Sequence, residues 1–312
     1  MNIFSTPLFL ETAGALFHPR RQRSIETFLL EGRVLRLLVL DGKTVVRKMP
    51  FYDFPQPLDA APASGPLRTL AYFPRTVVKT TTAAERVPEE KGFQPSPYIE
   101  WSQFTDWANY QHFVAQKGLA KANDSARQIR KLERDLGPLS FVFDDHRPEV
   151  FDAVVRWKSA QYLSTGVGNM FAQSENVELF RELHRQKAVV VSSLSAGTTL
   201  LAAHFGSLTD GRMTWWVPAY DPAYSKYSPG RLMLEQLMAE SQRAKHLEFD
   251  FLIGDEGYKF TFATHNRVIG PVGTAPLQER IVARAKAEGK ALLARSPRLY
   301  ELARSLKRRL TP

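Results

Sequence analysis

The chain of 312 residues contains no cysteine. Disulfides, thiolate zinc sites, iron–sulfur clusters and a cysteine acyl-enzyme are therefore excluded. No run of about 18 consecutive apolar residues occurs, so no segment is suited to cross a bilayer as a helix. A GxSxG elbow, an HExxH helix, a DxD pair and a Walker loop are also missing. The short GVG around Ser164 to Met170 is too brief for a dinucleotide fingerprint. Seven histidines show no metal-ligand spacing, and no metal is expected. At the N-terminus the basic residues Arg20, Arg21 and Arg23 follow the apolar stretch, the reverse of a secretory signal. The expectation is a cytoplasmic protein.

Apolar residues make up 44% of the chain, enough for a substantial core in one large domain or two packed smaller ones. The net charge of +10 is unevenly placed. Residues 271–312 hold ten Lys and Arg against three Glu, so this tail carries +7 and the rest about +3. The tail reads as two helices, roughly 276–294 and 297–310, with Leu299, Leu302, Leu306 and Leu310 forming a stripe among basic residues. It is either a solvated helix face docked on the core or a contact for an anionic membrane surface, a polyanionic glycan or RNA. No aromatic RNA-binding motif, helix-turn-helix pattern or zinc spacing accompanies it to support nucleic acid, which is not the expected partner.

The first 60 residues alternate short apolar strands with turns, and Asp41-Gly42 marks a hairpin between VLRLLVL and TVVRKMPFY. Pro55 to Pro97 is loop-rich. SPYIEW followed by FTDWANYQHFVAQK predicts a strand and a helix, with Ser102 or Thr105 as N-cap. A charged helix over 120–136 stops at Gly137-Pro138. Beyond it the order is strand, two helices, antiparallel strands turning at Asp210-Gly211, a helix from Gly230, the strand LEFDFLIG and a last strand near KFTFA. That order predicts an α+β fold with an N-terminal domain over 1–136, a C-terminal domain over 137–270 and a basic helical tail over 271–312.

The run AAHFG, the aromatic strand after it, YDPAYSKYSPGRLMLEQL and FDFLIGDEGYKF together resemble a family of GNAT-superfamily acetyltransferases, the CelD-like proteins associated with cellulose and exopolysaccharide biosynthesis. The resemblance covers roughly Pro138 to Ala263 and is looser over the N-terminal half. It implies tandem GNAT-like domains, an acetyl-CoA or other acyl-CoA donor, and an amine or hydroxyl acceptor on a small molecule or glycan. It also suggests kinship with Fem-type peptidoglycan aminoacyltransferases.

Within these motifs a helix begins behind Tyr227, Ser228, Pro229, Gly230 and Arg231. Unpaired first-turn amides and the positive helix end make such a start a seat for an anion such as a diphosphate. The superfamily's usual loop carries two small residues, whereas this one has Gly230 alone. An ordinary helix start is the competing reading. Acyl transfer also needs a proton acceptor and polarisation of the thioester carbonyl. His204, in the strand TTLLAAHFG, is placed to face the cleft or to be packed in the core. Asp250 alternates with Phe249 and Phe251; it needs a cationic partner, with Lys259 or Arg231 as candidates, and serves either as a base or as half of a structural ion pair. Asp221 either contributes to catalysis or starts a turn before Pro222. Tyr220 and Tyr224, with Glu256, Tyr258 and Lys259 after the strand, are candidate substrate contacts.

Overall fold

The computed structural model describes residues 1–281 except 62–64, 84–91, 118–121, 167 and 278–279. Most of the predicted tail helices, from residue 282 on, lie outside the described residues. In chain order the elements are α1 (Pro7–Phe17), β1 (Arg23–Leu30), β2 (Arg33–Leu40), β3 (Thr44–Val45), β4 (Leu67–Thr69), β5 (Tyr72–Thr82), β6 (Gln94–Glu100), α2 (Trp107–Gln116) and α3 (Ala122–Leu136). Then come β7 (Leu139–Val142), α4 (Pro148–Thr165), α5 (Ser174–Arg185), β8 (Val189–Ala196), β9 (Thr199–Thr209), β10 (Arg212–Thr214), β11 (Val217–Tyr220), α6 (Pro229–Arg243), β12 (Glu248–Asp250), α7 (Gly257–Phe262) and β13 (His265–Gly273).

The architecture is α+β, as expected. A small sheet runs β3-β2-β1-β4; a large mixed sheet runs β5-β13-β6-β12-β10-β9-β8-β7, with β11 continuing beside β9. The two expected units share this large sheet, because β6 lies between β12 and β13. Both Asp-Gly turns form as the sequence predicts. Asp41 and Gly42 have positive φ between β2 and β3, as do Asp210 and Gly211 between β9 and β10.

Helices cover both faces of the large sheet. Against one face pack α1, α4 and α5, with Val154, Phe180 and Phe205 fully buried. Against the other pack α2, α3 and α6, with Tyr110, Leu132, Leu237 and Phe249. β9 is covered on both sides, which explains why Leu201 through Phe205 read as an almost unbroken apolar run rather than an alternating one.

Three local expectations are corrected. KFTFA is helical within α7, and the final strand is β13, which starts two residues later and runs into the segment assigned to the tail. TVVRKMPFY is extended only at Thr44–Val45, because the chain then leaves β2 toward Met49 and Tyr52 in the core. The N-cap of α2 is Asp106, whose Oδ1 accepts from Asn109 N at 2.8 Å.

Candidate active site

The seam between β10 and β12 is closed at one end and open at the other. Arg212, Met213 and Thr214 pair in parallel with Glu248, Phe249 and Asp250, and Trp215 N donates to Asp250 O at 2.8 Å. The strands then part. β11 stays on β9, from Val217 opposite Phe205 to Tyr220 opposite Ala202. The chain after Asp250 turns the other way, with Phe251 N donating to Pro97 O and Gly254 N to Pro95 O, both at 3.0 Å. Leu252, at φ +58°, takes the left-handed conformation at the divergence.

His204 and Gly206 hold the break open. Between β10 and β11, Trp216 N loses a ladder acceptor, and His204 Nε2 accepts its hydrogen bond at 3.2 Å. The imidazole stacks on Trp215, 4.6 Å between ring centres. A side chain on Gly206 would meet His204 Cε1 at 2.5 Å and Thr214 O at 2.6 Å. Burial, and secondarily the charge of Lys158, lower the His204 pKa to about 3, so the ring is neutral at any working pH. His204 does not face the cleft; it is a packed core residue whose nitrogen replaces a strand partner.

The parted strands open into a cavity of about 1110 Å³. One wall is Trp215, Trp216 and Tyr220, and the opposite wall is Phe251 to Ile253 with Glu256 to Lys259. α6 contributes Gly230, Arg231, Leu234 and Glu235; α2 contributes Trp107 and Tyr110; α4 contributes Lys158 and Gln161. Phe51, Tyr52 and Asp53 reach in from the N-terminal half.

Charge inside the cavity is paired but not extinguished. Asp53 Oδ2 accepts from Ile253 N at 2.9 Å, and burial raises its pKa against the opposing pull of that bond, Arg75 and Lys259. Lys259 is buried, pairs with Glu256 at 3.0 Å and donates to Ile253 O at 2.9 Å. Lys158 Nζ donates to Pro218 O at 3.2 Å on the β11 edge, and burial lowers its pKa. The Tyr258 hydroxyl accepts from Trp215 Nε1 at 3.2 Å, and burial raises its pKa, keeping it protonated.

Six of the residues singled out from sequence line this cavity: Tyr220, Gly230, Arg231, Glu256, Tyr258 and Lys259. The others lie outside its lining. Asp250 is buried on the closed side of the seam, where Arg267, and neither Lys259 nor Arg231, is its partner at 3.2 Å. Arg267 also pairs with Glu248 and lies over the Tyr98 ring, 3.8 Å from its centre. Burial pushes Asp250 up to about 6. Asp221 Oδ1 accepts from Ala223 N at 2.9 Å, the turn-starting role. The Tyr227 ring is buried and its hydroxyl donates to Asp135 Oδ2 at 2.9 Å, while Tyr224 packs beside the same core.

The expected anion seat is smaller than its sequence suggested. Pro229 has no N–H; the amides of Arg231 and Leu232 both donate to Ser228 O, at 3.0 and 3.1 Å. Gly230 N–H is left as the first-turn donor. Arg231 Nε is held by Glu235 at 2.9 Å. Gly230 also makes room for Tyr220, whose Cδ1 would lie 3.2 Å from an added Cβ. Sequence reasoning passed over Asp53 and Lys158. Their signals were faint: an acid set among aromatics in Phe51-Tyr52-Asp53-Phe54, and a lysine following Trp157 in an otherwise apolar stripe.

Residues 120–260 match the family model described as an acetyltransferase (GNAT) domain. The fold is GNAT-like. The strand parting at Trp215 lies within the matched segment. Among solved structures, FemX is similar at 8% identity over 87% of this chain and 91% of that one, with a TM-score of 0.52. L-PGS from Bacillus licheniformis is similar at 9% identity over 88% and 90%, TM-score 0.43. A conserved protein of unknown function from Bacteroides thetaiotaomicron VPI-5482 is similar at 10% identity over 59% of this chain and 64% of that one, under two thirds of its length, with a TM-score of 0.40. No curated protein sequence matches the chain. Among the described residues no helix is long and apolar enough to cross a membrane.

Proposed function

We propose that the protein is a cytoplasmic acyl-CoA-dependent N- or O-acyltransferase that acts by direct transfer on a sugar, polysaccharide precursor or cell-envelope intermediate. The observation that carries this reading is the parting of β11 from the end of β12. It creates a slot between two strand edges, walled by Trp215, Trp216 and Phe251 and open to a cavity large enough for two substrates. An acyl thioester laid in the slot would present its carbonyl beside Asp53, Tyr258 and Lys259. Gly230 N–H and Arg231 supply the anion contact at the start of α6, provided Arg231 is shared with Glu235. The narrower CelD-like kinship rests on the motifs from Tyr220 to Gly230 and from Phe249 to Lys259.

Direct transfer requires an acceptor amine or hydroxyl to attack the carbonyl, lose a proton and expel the thiolate. Of the two buried carboxylates with a raised pKa, Asp53 and not Asp250 opens on the cavity, and its raised pKa suits it to take that proton. Tyr258, kept protonated and oriented by Trp215, is the group placed to return a proton to the leaving sulfur. Titration calorimetry with acetyl-CoA and longer acyl-CoAs tests the donor: saturable binding is expected, and the absence of binding to every one of them overturns the acyl-CoA assignment.

A second reading, transfer from an aminoacyl-tRNA, is favoured by one observation: the likeness to FemX extends through both halves of the chain. An RNA surface would then fall on the basic tail. Removal of that tail must begin after Ile281, because β13 continues to Gly273 and pairs with Tyr72 and Phe73 of β5. Steeply salt-dependent tRNA binding that disappears in this truncation, together with no affinity for acyl-CoA, would select the second reading.

A further inference from the structure

Independently of the cavity, we propose a divalent transition-metal site formed by Asp144, His146 and His184. One ligand atom of each lies within 4.8 Å of the others, although His184 is 38 residues from His146 in the chain. None of the three lines the cavity. Asp144 and His146 belong to the loop between β7 and α4; His184 is in the last turn of α5. The fold therefore assembles the group from two elements whose sequence separation hides it.

The surroundings hold these side chains ready. Asp145, between the two loop ligands, turns inward: its N–H donates to Val191 O at 2.6 Å, and its carboxylate accepts from Ser193 Oγ at 2.5 Å and from Arg147. Ser192 Oγ donates to Phe143 O at 2.5 Å, one residue before Asp144. With Phe143 and Asp145 tied to β8, the flanking Asp144 and His146 are exposed on a held stretch of backbone. Asp144 Oδ2 lies 3.2 Å from His146 Nε2, and the His146 and His184 rings are 5.4 Å apart. His184 Nδ1 lies 3.1 Å from Val189 O, which selects the Nδ1–H tautomer and leaves Nε2 with its lone pair for a metal.

Two imidazoles and a carboxylate suit Zn²⁺, Co²⁺ or Ni²⁺ rather than Mg²⁺ or Ca²⁺, which prefer all-oxygen donors. Tetrahedral zinc places its donors about 3.3 Å apart, from bonds of about 2.0–2.1 Å. His146 and Asp144 are both exposed, so their side chains have room to turn toward that spacing. Three protein ligands leave a fourth position for water. The bound ion would clamp the start of α4, the helix that carries Lys158 and Gln161 to the cavity, onto the end of α5.

The test uses the full-length untagged chain, titrated calorimetrically with ZnCl₂ and followed with Co²⁺ by its visible absorption bands. One equivalent is expected to bind, with a tetrahedral-type Co²⁺ spectrum. His146→Ala and His184→Gln should each weaken binding at least about tenfold, the range in which disturbing a metal's surroundings is felt. His112→Ala, on an exposed histidine near Gln116 outside the group, should bind as the parent does. His146 is exposed, so its substitution tests the site even if His184→Gln misfolds. Absence of saturable Zn²⁺ binding by the parent, or parental affinity in His146→Ala, overturns the proposal.

Discussion

The two ends of the β10–β12 seam hold carboxylates of the same kind in opposite circumstances. At the closed end Asp250 is sealed among Arg267, Leu252 N–H and neighbouring strands. At the open end Asp53 arrives from 200 residues upstream to meet Ile253 N. Burial raises the pKa of both. A perturbed carboxylate therefore does not by itself mark a site; what distinguishes Asp53 is a cavity in front of it. Parallel pairing at Thr214 and Asp250 excludes substrate from one carboxylate, and the parting of the strands just beyond Trp215 and Asp250 admits it to the other.

The strongest way to break the contrast is Arg267→Ala. It leaves Asp250 without its guanidinium in a buried setting and Glu248 with Arg212 alone, and a loss of about 3–5 kcal/mol of stability is expected in chemical denaturation. A loss below 1 kcal/mol would show the closed end to be solvated.

Asp53→Asn is next and should act on turnover instead. A drop in kcat of about a hundredfold is expected, within the range for proton-transfer groups, with donor affinity retained. The parent's rate should fall as pH drops through the raised Asp53 pKa, because the base must be ionised. Asp250→Asn, if it folds, should leave that acid limb in place. An acid limb that disappears with Asp250 rather than Asp53 would reverse the assignment of the two carboxylates.

Asp250 should instead appear in stability. Its folded-state pKa, about 6, exceeds the ordinary 3.8 because of burial. Between those values the folded protein holds more protons than the unfolded one, so this residue makes stability decline as pH rises from about 4 to about 6. In Asp250→Asn that component of the slope should be gone, as measured by denaturant midpoints across the interval.

The smallest effect is expected at the start of α6. Gly230→Ala would press on Tyr220 at 3.2 Å, and a movable, partly exposed ring can yield, so stability should change by only about 1 kcal/mol. Donor affinity should fall more than stability if the Gly230 amide is the anion contact. Unchanged affinity would move the donor's phosphates elsewhere.

Much of the chain's organisation is legible from local rules. Asp41-Gly42 and Asp210-Gly211 demand positive φ and so announce their turns; Gly137 ends α3 at φ +104°; the apolar run of β9 signals a strand covered on both faces. The motif from Tyr220 to Lys259 locates the correct neighbourhood. It does not reveal which residues face the cavity. His204 resembles a base in sequence because nothing local shows that Trp216 N needs an acceptor there. Asp250 resembles one because its partner, Arg267, lies across a neighbouring strand. KFTFA alternates like a strand, yet tertiary contacts hold it as a helical turn over Lys259.

Sequence alone determined the α+β order, the absence of cysteine chemistry, the turns and the segment that carries the acyltransferase resemblance, because each depends on residue type and short spacing. The tertiary structure decided where β11 leaves β12, that Asp53 and Lys158 enter the cavity while His204 and Asp250 do not, and that Asp144, His146 and His184 meet. Those outcomes depend on strand pairing and burial across 12 to 200 residues of chain, and such contacts leave no periodic trace in the residues that make them.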